Sequence, residues 1–297
     1  MSVRRADWIL LACLSLVWGT SFQFNKLAVA TLRPEAVVTI RLVLAAVILI
    51  PLVYARGHRL PGRDRRWFSF IAMAALGNAL PFYLITWGQE VIDSGVAGIL
   101  MATMPLTTIV LAHFFVANER MTRRKGAGFL LGFAGVCLLV GPEFVLQLGG
   151  GASRLGRQLA VAGGAVGYAV NTIIARRLPE TPPLVTSACT LAAAAVMMLV
   201  GDAGAVVGGL AAASAKSTFA AMWLGFACTA IAMLIYYRII ASAGASFVAM
   251  MNYFIPVVAF IGGVFALGEA VSARAVAALV VILVGVVLAG RTSGQVR

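Results

Sequence analysis

Amides, hydroxyls and phenols are the main polar groups that this sequence places inside its long apolar segments. With one tryptophan and one methionine, they give ten candidates for a binding site: Ser21, Asn25, Asn78, Tyr83, Trp87, Met101, Tyr168, Asn171, Tyr236 and Asn252. Tyr168 and Asn171 are spaced to share one face of a helix. Groups of this kind bind an organic solute, whereas a bare ion is bound by rings of charge or backbone carbonyls. The alternative for each residue is an ordinary hydrogen bond between helices.

Ionisable groups are scarce in the same segments. The ten acidic residues lie at predicted helix ends or in loops, so no carboxylate marks a proton or sodium site inside a membrane. His113 falls late in an apolar segment, where a packed side chain is favoured over a proton relay. Lys26 and Arg41 also fall inside apolar segments, and their long stems favour snorkelling toward the surface. The alternative is that one of the two meets the carboxylate of a bound solute.

The sequence carries no signature of catalysis. It has no G-x-x-x-x-G-K phosphate loop and no H-E-x-x-H zinc motif, and it lacks the clustered Ser, His and Asp set of a hydrolase. The four cysteines lie in apolar segments without a C-x-x-C pair, which predicts free thiols. We therefore predict a protein that is not an enzyme and holds no metal or cofactor.

The elements that must position these residues are membrane-spanning helices. Of the 297 residues, 62% are hydrophobic and only 11% are charged, whereas about a quarter are charged in soluble domains. A spanning helix needs about 20 apolar residues. We predict ten spans, over 8–30, 36–54, 68–87, 95–116, 127–140, 159–174, 184–200, 222–240, 247–267 and 275–289.

The basic residues follow this topology. The net charge is +13, but the basic residues sit in short segments between apolar runs, which argues against a nucleic-acid partner. With a cytoplasmic N-terminus, 16 of the 23 Lys and Arg residues fall in inside segments, 5 fall outside and 2 lie within spans. Positive residues concentrate on the cytoplasmic side of membrane proteins. We therefore predict that both termini are cytoplasmic.

The chain contains an internal repeat. The segment Ser94–Gly141 recurs as Ser246–Gly290, with a proline in the first apolar run, a glutamate after it and a Gly-Val pair in the second run. The matching landmarks are Pro105 and Pro256, Glu119 and Glu269, and Gly135 and Gly285. We predict two repeats of five helices, residues 1–148 and 155–297. Because five is odd, the second repeat enters the membrane inverted, and such repeats hold the substrate at their interface.

Glycines give the fifth and tenth predicted helices a packing surface. Gly128, Gly132 and Gly135 lie on one face of the fifth helix, and Gly285 holds the matching place in the tenth. Small residues let helix backbones approach closely. We therefore predict that these two helices are packing or dimerisation elements outside the substrate path.

The repeated landmarks resemble those of EamA-type transporters in the drug/metabolite transporter superfamily. The opening LVWGTSFQFNKLA at Leu16–Ala28, the stretch Pro105–Glu119 and the LGE at Leu267–Glu269 carry the likeness, which extends over nearly the whole chain. Within the superfamily, the chain is most similar to bacterial inner-membrane exporters of aromatic amino acids. The resemblance implies an all-α membrane protein, with ten transmembrane helices as two inverted five-helix EamA repeats around a central cavity.

The resemblance also implies roles for particular elements. Helices one, three, four, six, eight and nine would line the path, and Glu119, Glu269 and Arg41 would be structural rather than substrate-contacting. The first repeat opens on a Trp-Gly pair at position 18, where the second has Val-Gly at position 166. This departure argues against a strictly symmetric site.

From the residues and the resemblance, we predict a secondary transporter or facilitator. It would export small amphipathic metabolites, such as amino acids including aromatic ones, by alternating access and without ion coupling. A multidrug or nucleotide-sugar carrier of the same superfamily is one alternative, and a non-transporting receptor or scaffold is another. The predicted partners are a small-molecule substrate and the lipid bilayer of a bacterial inner membrane, and the sequence is compatible with a monomer.

Overall fold

The structure, a computed structural model, describes residues 4–116, 121–140, 153–243, 245–248 and 250–290. Within these ranges the secondary structure is helical, and no β-strand occurs. Most helices are joined by short turns, so the described chain is an all-helical bundle, as the sequence predicts.

The helices of the first half are numbered in chain order. They are α1 (Arg5–Ala28), α2 (Pro34–Ala55), α3 (Arg66–Ala74), α4 (Leu80–Gly88), α5 (Ser94–Met101), α6 (Met104–Phe115) and α7 (Arg123–Val140). Those of the second half are α8 (Ser153–Arg177), α9 (Pro183–Ala212), α10 (Ala215–Gly225), α11 (Ala232–Ala243), α12 (Ala245–Val248), α13 (Met251–Leu267) and α14 (Ala273–Gly290). A π-helical turn joins α3 to α4 over Ala75–Ala79, and another joins α10 to α11 over Phe226–Ile231.

Seven of these helical stretches are long and apolar enough to cross a membrane. They are Arg5–Ala28, Pro34–Ala55, Arg66–Gly88, Ser94–Phe115, Arg154–Arg177, Pro183–Gly201 and Ala215–Ile240. Two shorter apolar helices cover Phe254–Leu267 and Ala273–Leu288. The class of multi-pass membrane protein is therefore confirmed, whereas the count of ten spans stays a prediction.

Local sequence signals explain several helix ends. Pro34 and Pro183 each stand at the start of a helix, where the fixed φ of proline suits the first turn and its missing N–H costs nothing. Ser214 precedes α10, and its hydroxyl accepts a hydrogen bond from the Ser217 backbone N–H at 3.2 Å. Gly268 ends α13 at φ 68°, a left-handed conformation that glycine adopts without strain.

The two halves of the chain interlock rather than fold side by side. The most extensive helix contacts all join the first half to the second: α7 with α14, α2 with α9, α1 with α13, and α4 with α8. Exchanging the halves maps each of the first two pairs onto itself, because α7 and α14 hold equivalent places in the repeat, as do α2 and α9. The main apolar surfaces of each half are therefore buried against the other half.

The pairing of α7 with α14 is antiparallel. A Cβ atom built on Gly285 would lie 2.6 Å from the Gly132 nitrogen, and one on Gly135 would lie 3.2 Å from the Ala278 carbonyl oxygen. Residue numbers therefore rise along one helix as they fall along the other, which is the relation that inverted repeats require. The glycine face predicted from the sequence is the surface on which these two helices pack.

Each repeat carries a π-helical turn at the matching place in its third helix. In the first, Asn78 Nδ2 donates to the Met73 carbonyl oxygen at 3.0 Å. In the second, Thr229 Oγ1 donates to the Leu224 carbonyl oxygen at 2.9 Å. Turns of this kind insert one residue into an α-helix and are frequent at functional sites. Pro81, a residue type that often kinks helices, stands two residues after the first π turn.

Contacts between helix ends define two ends of the bundle. At the end that holds the start of α1, here termed the N-terminal end, Ser242 Oγ donates to Asp7 Oδ1 at 2.6 Å. At the other, termed the opposite end, the Ser94 backbone N–H donates to Glu269 Oε1 at 2.7 Å. Both contacts join one half of the chain to the other, so a hydrogen bond links the two halves at each end.

Candidate functional site

Arg41, on α2, is a partly buried charged side chain inside the bundle. Its Nε donates to Thr229 Oγ1 at 2.8 Å, and its guanidinium carbon stands 3.8 Å from the centre of the Phe82 ring. The ion pairs formed among the described residues do not include Arg41. The positive charge is therefore held by a neutral hydroxyl and an aromatic face.

Aromatic and amide groups extend this site toward α8. The rings of Phe82 and Tyr168 meet edge to face, with centres 6.1 Å apart. One helical turn beyond Tyr168 lies Asn171, whose Oδ1 is buried and accepts no hydrogen bond from the described residues. Gly77 makes room for this amide, because a Cβ there would lie 2.3 Å from the Asn171 side chain. We refer to Arg41, Phe82, Tyr168, Asn171 and Thr229 as the central cluster.

The hydrogen-bonding capacity of the central cluster is only partly used. A guanidinium group carries five N–H donors, and Thr229 accepts from one of them. A cation in an apolar interior is costly unless it is paired, and a cation–π contact with a ring such as Phe82 offsets only part of that cost. The cluster thus offers positively charged donors on α2 and an unmatched acceptor on α8. This pair suits a solute that carries both an anionic group and N–H donors.

Two cavities open at the two ends of the bundle. One has a volume of about 430 Å³ at the opposite end, where Asp93, Arg154 and Glu269 are in its wall. The other has a volume of about 530 Å³ at the N-terminal end, where Arg56 and Tyr237 are in its wall. Each wall thus contains charged side chains, as a water-filled vestibule would.

Apolar clusters that include Phe82 or Tyr168 extend to a wall residue of each cavity. At the opposite end, Phe260 in the cavity wall belongs to the same apolar cluster as Met101 and Tyr168. At the N-terminal end, Leu184 in the cavity wall belongs to the same apolar cluster as Phe82 and Tyr168. The central cluster therefore lies between the cavities, behind packed side chains on each side.

Asn25, Ser21 and Asn78, among the ten predicted site residues, make hydrogen bonds within the protein. Asn25 Nδ2 donates to Gln89 Oε1 at 2.8 Å, and Asn25 Oδ1 accepts from Thr86 Oγ1 at 3.1 Å. Ser21 Oγ donates to the carbonyl oxygen three residues earlier, and Asn78 bonds within its own π turn. The Asn25 contacts join α1 to α4 and the turn after it, as interhelical hydrogen bonds usually do, whereas the Ser21 and Asn78 bonds lie within a single helical stretch.

The other predicted residues have varied surroundings. Trp87 lies under the Arg157 guanidinium, with 3.9 Å between the guanidinium carbon and the ring centre. Tyr236 packs against Trp18 at 5.7 Å between ring centres. Partly buried side chains are found at Tyr83 on α4, Met101 at the end of α5 and Asn252 near the start of α13.

The structure brings two of the ten predicted residues, Tyr168 and Asn171, into the central cluster. None of the ten appears in the walls of the two cavities described above. The direct role of each in binding therefore stays a prediction.

The sequence predicts the same behaviour for Lys26 and Arg41, but the two side chains have different surroundings in the structure. Lys26 Nζ reaches the opposite end, where it donates to the carbonyl oxygens of Gln89 at 2.8 Å and Ile92 at 3.0 Å. These carbonyls follow the C-terminus of α4, where a positive charge is favourable. Arg41 does not reach an end of the bundle. The position of Arg41 in an apolar run made it a candidate from the sequence. Its hydrogen-bond partner Thr229 was not predicted, because it is 188 residues away in sequence.

Glu269 has the structural role that the resemblance implies. Its carboxylate accepts hydrogen bonds from the first two backbone N–H groups of α5, Ser94 at 2.7 Å and Gly95 at 3.0 Å. An anion at a helix N-terminus satisfies unpaired N–H groups and is stabilised by the helix dipole. Its counterpart in the first repeat, Glu119, lies outside the described residues.

Comparison with known proteins finds one family twice along the chain. The EamA-like transporter family matches residues 7–141 and, again, residues 157–291. The uncharacterized transporter YoaV of Bacillus subtilis is 25% identical over 277 residues, covering 92% of this chain and 92% of the relative. The uncharacterized inner membrane transporter YedA of Escherichia coli K12 is 24% identical over 282 residues, covering 94% of this chain and 88% of the relative.

A solved structure supports the fold alone. A protein of known crystal structure, 20% identical in sequence, matches with a TM-score of 0.65 over 99% of this chain and 100% of that chain. The helical bundle is therefore a known architecture. Since the two family matches together take in most of the sequence, the chain belongs to the EamA-like transporter family.

Proposed function

We propose that this membrane transporter exports small amphipathic metabolites, such as amino acids including aromatic ones, as a secondary transporter or facilitator. The observation that carries the proposal is an unpaired arginine, Arg41, inside the bundle and between two cavities at opposite ends. The Arg41 guanidinium lies over the Phe82 ring, which meets the Tyr168 ring, and an amide oxygen without a donor among the described residues lies one turn further along α8. Such a lining suits a solute with one charged group and an apolar body.

The proposed topology has ten spans in two inverted five-helix repeats, residues 1–148 and 155–297. The antiparallel packing of α7 on α14 supports the inversion. The excess of basic residues near the N-terminal end supports cytoplasmic termini. Within a bacterium, the membrane would be the inner membrane, and transport would run from the cytoplasm outward.

The proposed mechanism is alternating access between the two cavities. Opening one end requires the two halves to separate there, while the other end stays closed. The Asp7–Ser242 contact would break when the N-terminal end opens, and the Glu269–Ser94 contact would break when the opposite end opens. The close packing of α7 on α14 would keep the halves together throughout. In either state, the central cluster would face the open cavity.

We propose transport without ion coupling, because a carboxylate that could carry a proton or sodium ion is missing from the central cluster. A nucleotide-sugar carrier is the second candidate, since Arg41 could also bind a phosphate group. A multidrug carrier would not need Arg41 and is less well supported by this site.

Counterflow in proteoliposomes tests the proposed function. Vesicles containing the protein are loaded with unlabelled tryptophan, phenylalanine or threonine and then mixed with the labelled amino acid. We expect saturable uptake that exceeds uptake into protein-free vesicles and moves no protons at constant membrane potential. Flat traces for every amino acid from folded protein would contradict the proposal, and proton flux driven by substrate would contradict the absence of coupling.

A further inference from the structure

We infer that Arg41 binds the carboxylate of the transported solute, with Asn171 accepting a hydrogen bond from the solute's amino group. The inference rests on the proposed function only in that the bound solute is the one transported. Binding itself is measured separately below.

Arg41 has no counter-ion among the described residues. Arg41 lies in the interior of a membrane bundle, and the described acidic residues do not form an ion pair with it. Charged side chains at such positions usually pair with another group or mark a substrate pathway. Thr229 and Phe82 stabilise the guanidinium without neutralising it. A bound anion would supply the absent charge.

Charge and geometry indicate which anion Arg41 binds. Arg41 is the single cation of the central cluster, and Lys26 is engaged with backbone carbonyls at the opposite end. A carboxylate carries one negative charge and matches the planar fork of arginine with two parallel hydrogen bonds. A phosphate monoester carries nearly two charges at neutral pH and would leave one of them unpaired here. The single charge and the planar fork of Arg41 therefore match a carboxylate group.

The acceptor on α8 indicates a second polar group on the solute. The buried Oδ1 of Asn171 has no donor among the described residues, and a buried acceptor left unmatched is unfavourable. An ammonium group supplies N–H donors for it. Tyr168 lies one turn from Asn171 and packs on Phe82, beneath the Arg41 guanidinium. Carboxylate, amino group and an apolar side chain together describe an α-amino acid.

The two π turns orient Thr229 and make room for Asn171. Thr229 Oγ1 donates its hydrogen to the Leu224 carbonyl oxygen, so a lone pair is left to accept from Arg41 Nε. In the other π turn, Gly77 leaves the space that the Asn171 amide occupies. Thr229 is thus a positioning residue for Arg41. Each repeat uses its π turn to place one recognition group.

The test measures ligand-dependent thermal stability of the purified, full-length protein in detergent. The probes are L-phenylalanine, L-tryptophan and L-threonine, each compared with its amide, which lacks the carboxylate. We expect each bound amino acid to raise the Tm saturably and the matching amide to give no saturable shift. UDP-glucose, as a source of phosphate, is expected to give no shift.

Variants assign the effect to Arg41. Arg41→Met is expected to weaken amino-acid binding by about ten- to a hundredfold, the loss of one or two charged hydrogen bonds. Its Tm without ligand should not fall, because an unpaired interior charge is removed; a structural arginine would give a lower Tm. Arg59→Gln, which removes a charge from an exposed loop residue, is the control and should bind like the wild type.

Each remaining outcome decides the inference. Equal shifts with amino acids and amides, no shift with any amino acid, or unchanged binding by Arg41→Met would overturn it. A shift with UDP-glucose alone would replace the carboxylate with a phosphate. If Arg41→Met does not fold, Arg41→Lys decides, since it keeps the charge without the fork: weaker binding supports the inference and unchanged binding overturns it. Tm shifts without counterflow would support this binding site and contradict the proposed transport function.

Discussion

Polar side chains inside this bundle differ in whether their hydrogen-bonding groups are matched within the protein. Asn25 has both its donor and its acceptor matched, by Gln89 and Thr86, so its role is explained by helix packing. Asn171 has an unmatched acceptor and Arg41 an unmatched charge. An unsatisfied buried group costs about 1–3 kcal/mol, a cost that a binding site recovers when the ligand arrives.

Glu269 provides a prediction for a matched group. Replacing it by Gln removes the charge at the N-terminus of α5 and leaves one oxygen in place of two to accept from Ser94 and Gly95. We expect Glu269→Gln to lower the free energy of unfolding by about 1–2 kcal/mol, measured by denaturation in detergent. Glu180→Gln, at an exposed loop position, is the control. Equal stability of the two variants would show that the carboxylate does not cap α5.

Residue types and spacing could predict part of the site. The three-residue spacing of Tyr168 and Asn171 placed them on one helical face, and both lie in the central cluster. The contact of Arg41 with Thr229 could not be predicted, because it depends on how α2 packs across the other half of the chain. Only the fold brings these two residues together.

At the scale of elements, the two π turns were not predictable from the apolar pattern. Continuous apolar runs predicted spanning helices over 68–87 and 222–240. The structure inserts π turns at Ala75–Ala79 and Phe226–Ile231. The extra residue leaves an apolar segment apolar, so hydropathy carries no signal for it. Asn78 and Thr229 were visible only as polar residues, without the carbonyl partners that they meet in the π turns.

The packing of α7 on α14 was predictable, because glycines on one face are themselves the signal. Gly285→Ala would place a methyl group 2.6 Å from the Gly132 nitrogen, so the two helices must move apart. We expect the free energy of unfolding to fall by about 1–3 kcal/mol.

Gly126→Ala, on the same helix pair, is the matched control for this prediction. A Cβ at this position would meet nothing within 4 Å, so the better helix propensity of alanine should leave stability unchanged or raise it by up to about 1 kcal/mol. Equal losses in the two variants would contradict the close approach of α7 and α14.

At the scale of the whole molecule, the repeat predicted the two halves, and the family matches fall on them at residues 7–141 and 157–291. The interlocking of the halves was not readable from the sequence, because it arises from helix contacts across the repeat. The two cavities were also not predicted. Their walls combine helix ends far apart in the chain, such as Asp93, Arg154 and Glu269.

The most direct test of alternating access measures whether the central cluster can be reached from both sides of the membrane. Asn171→Cys is introduced into a chain whose four native cysteines are replaced by serine. A small, membrane-impermeant thiol reagent is then applied to right-side-out and to inside-out vesicles. Arg59→Cys near the N-terminal end and Lys216→Cys near the opposite end are references, because both positions are exposed.

We expect Arg59→Cys to react with the thiol reagent only from the cytoplasmic side and Lys216→Cys only from the other side. Asn171→Cys should react from both sides, since each state opens the central cluster to one cavity. Reaction of Asn171→Cys from one side only, or from neither, with both references behaving as predicted, would contradict alternating access through the central cluster.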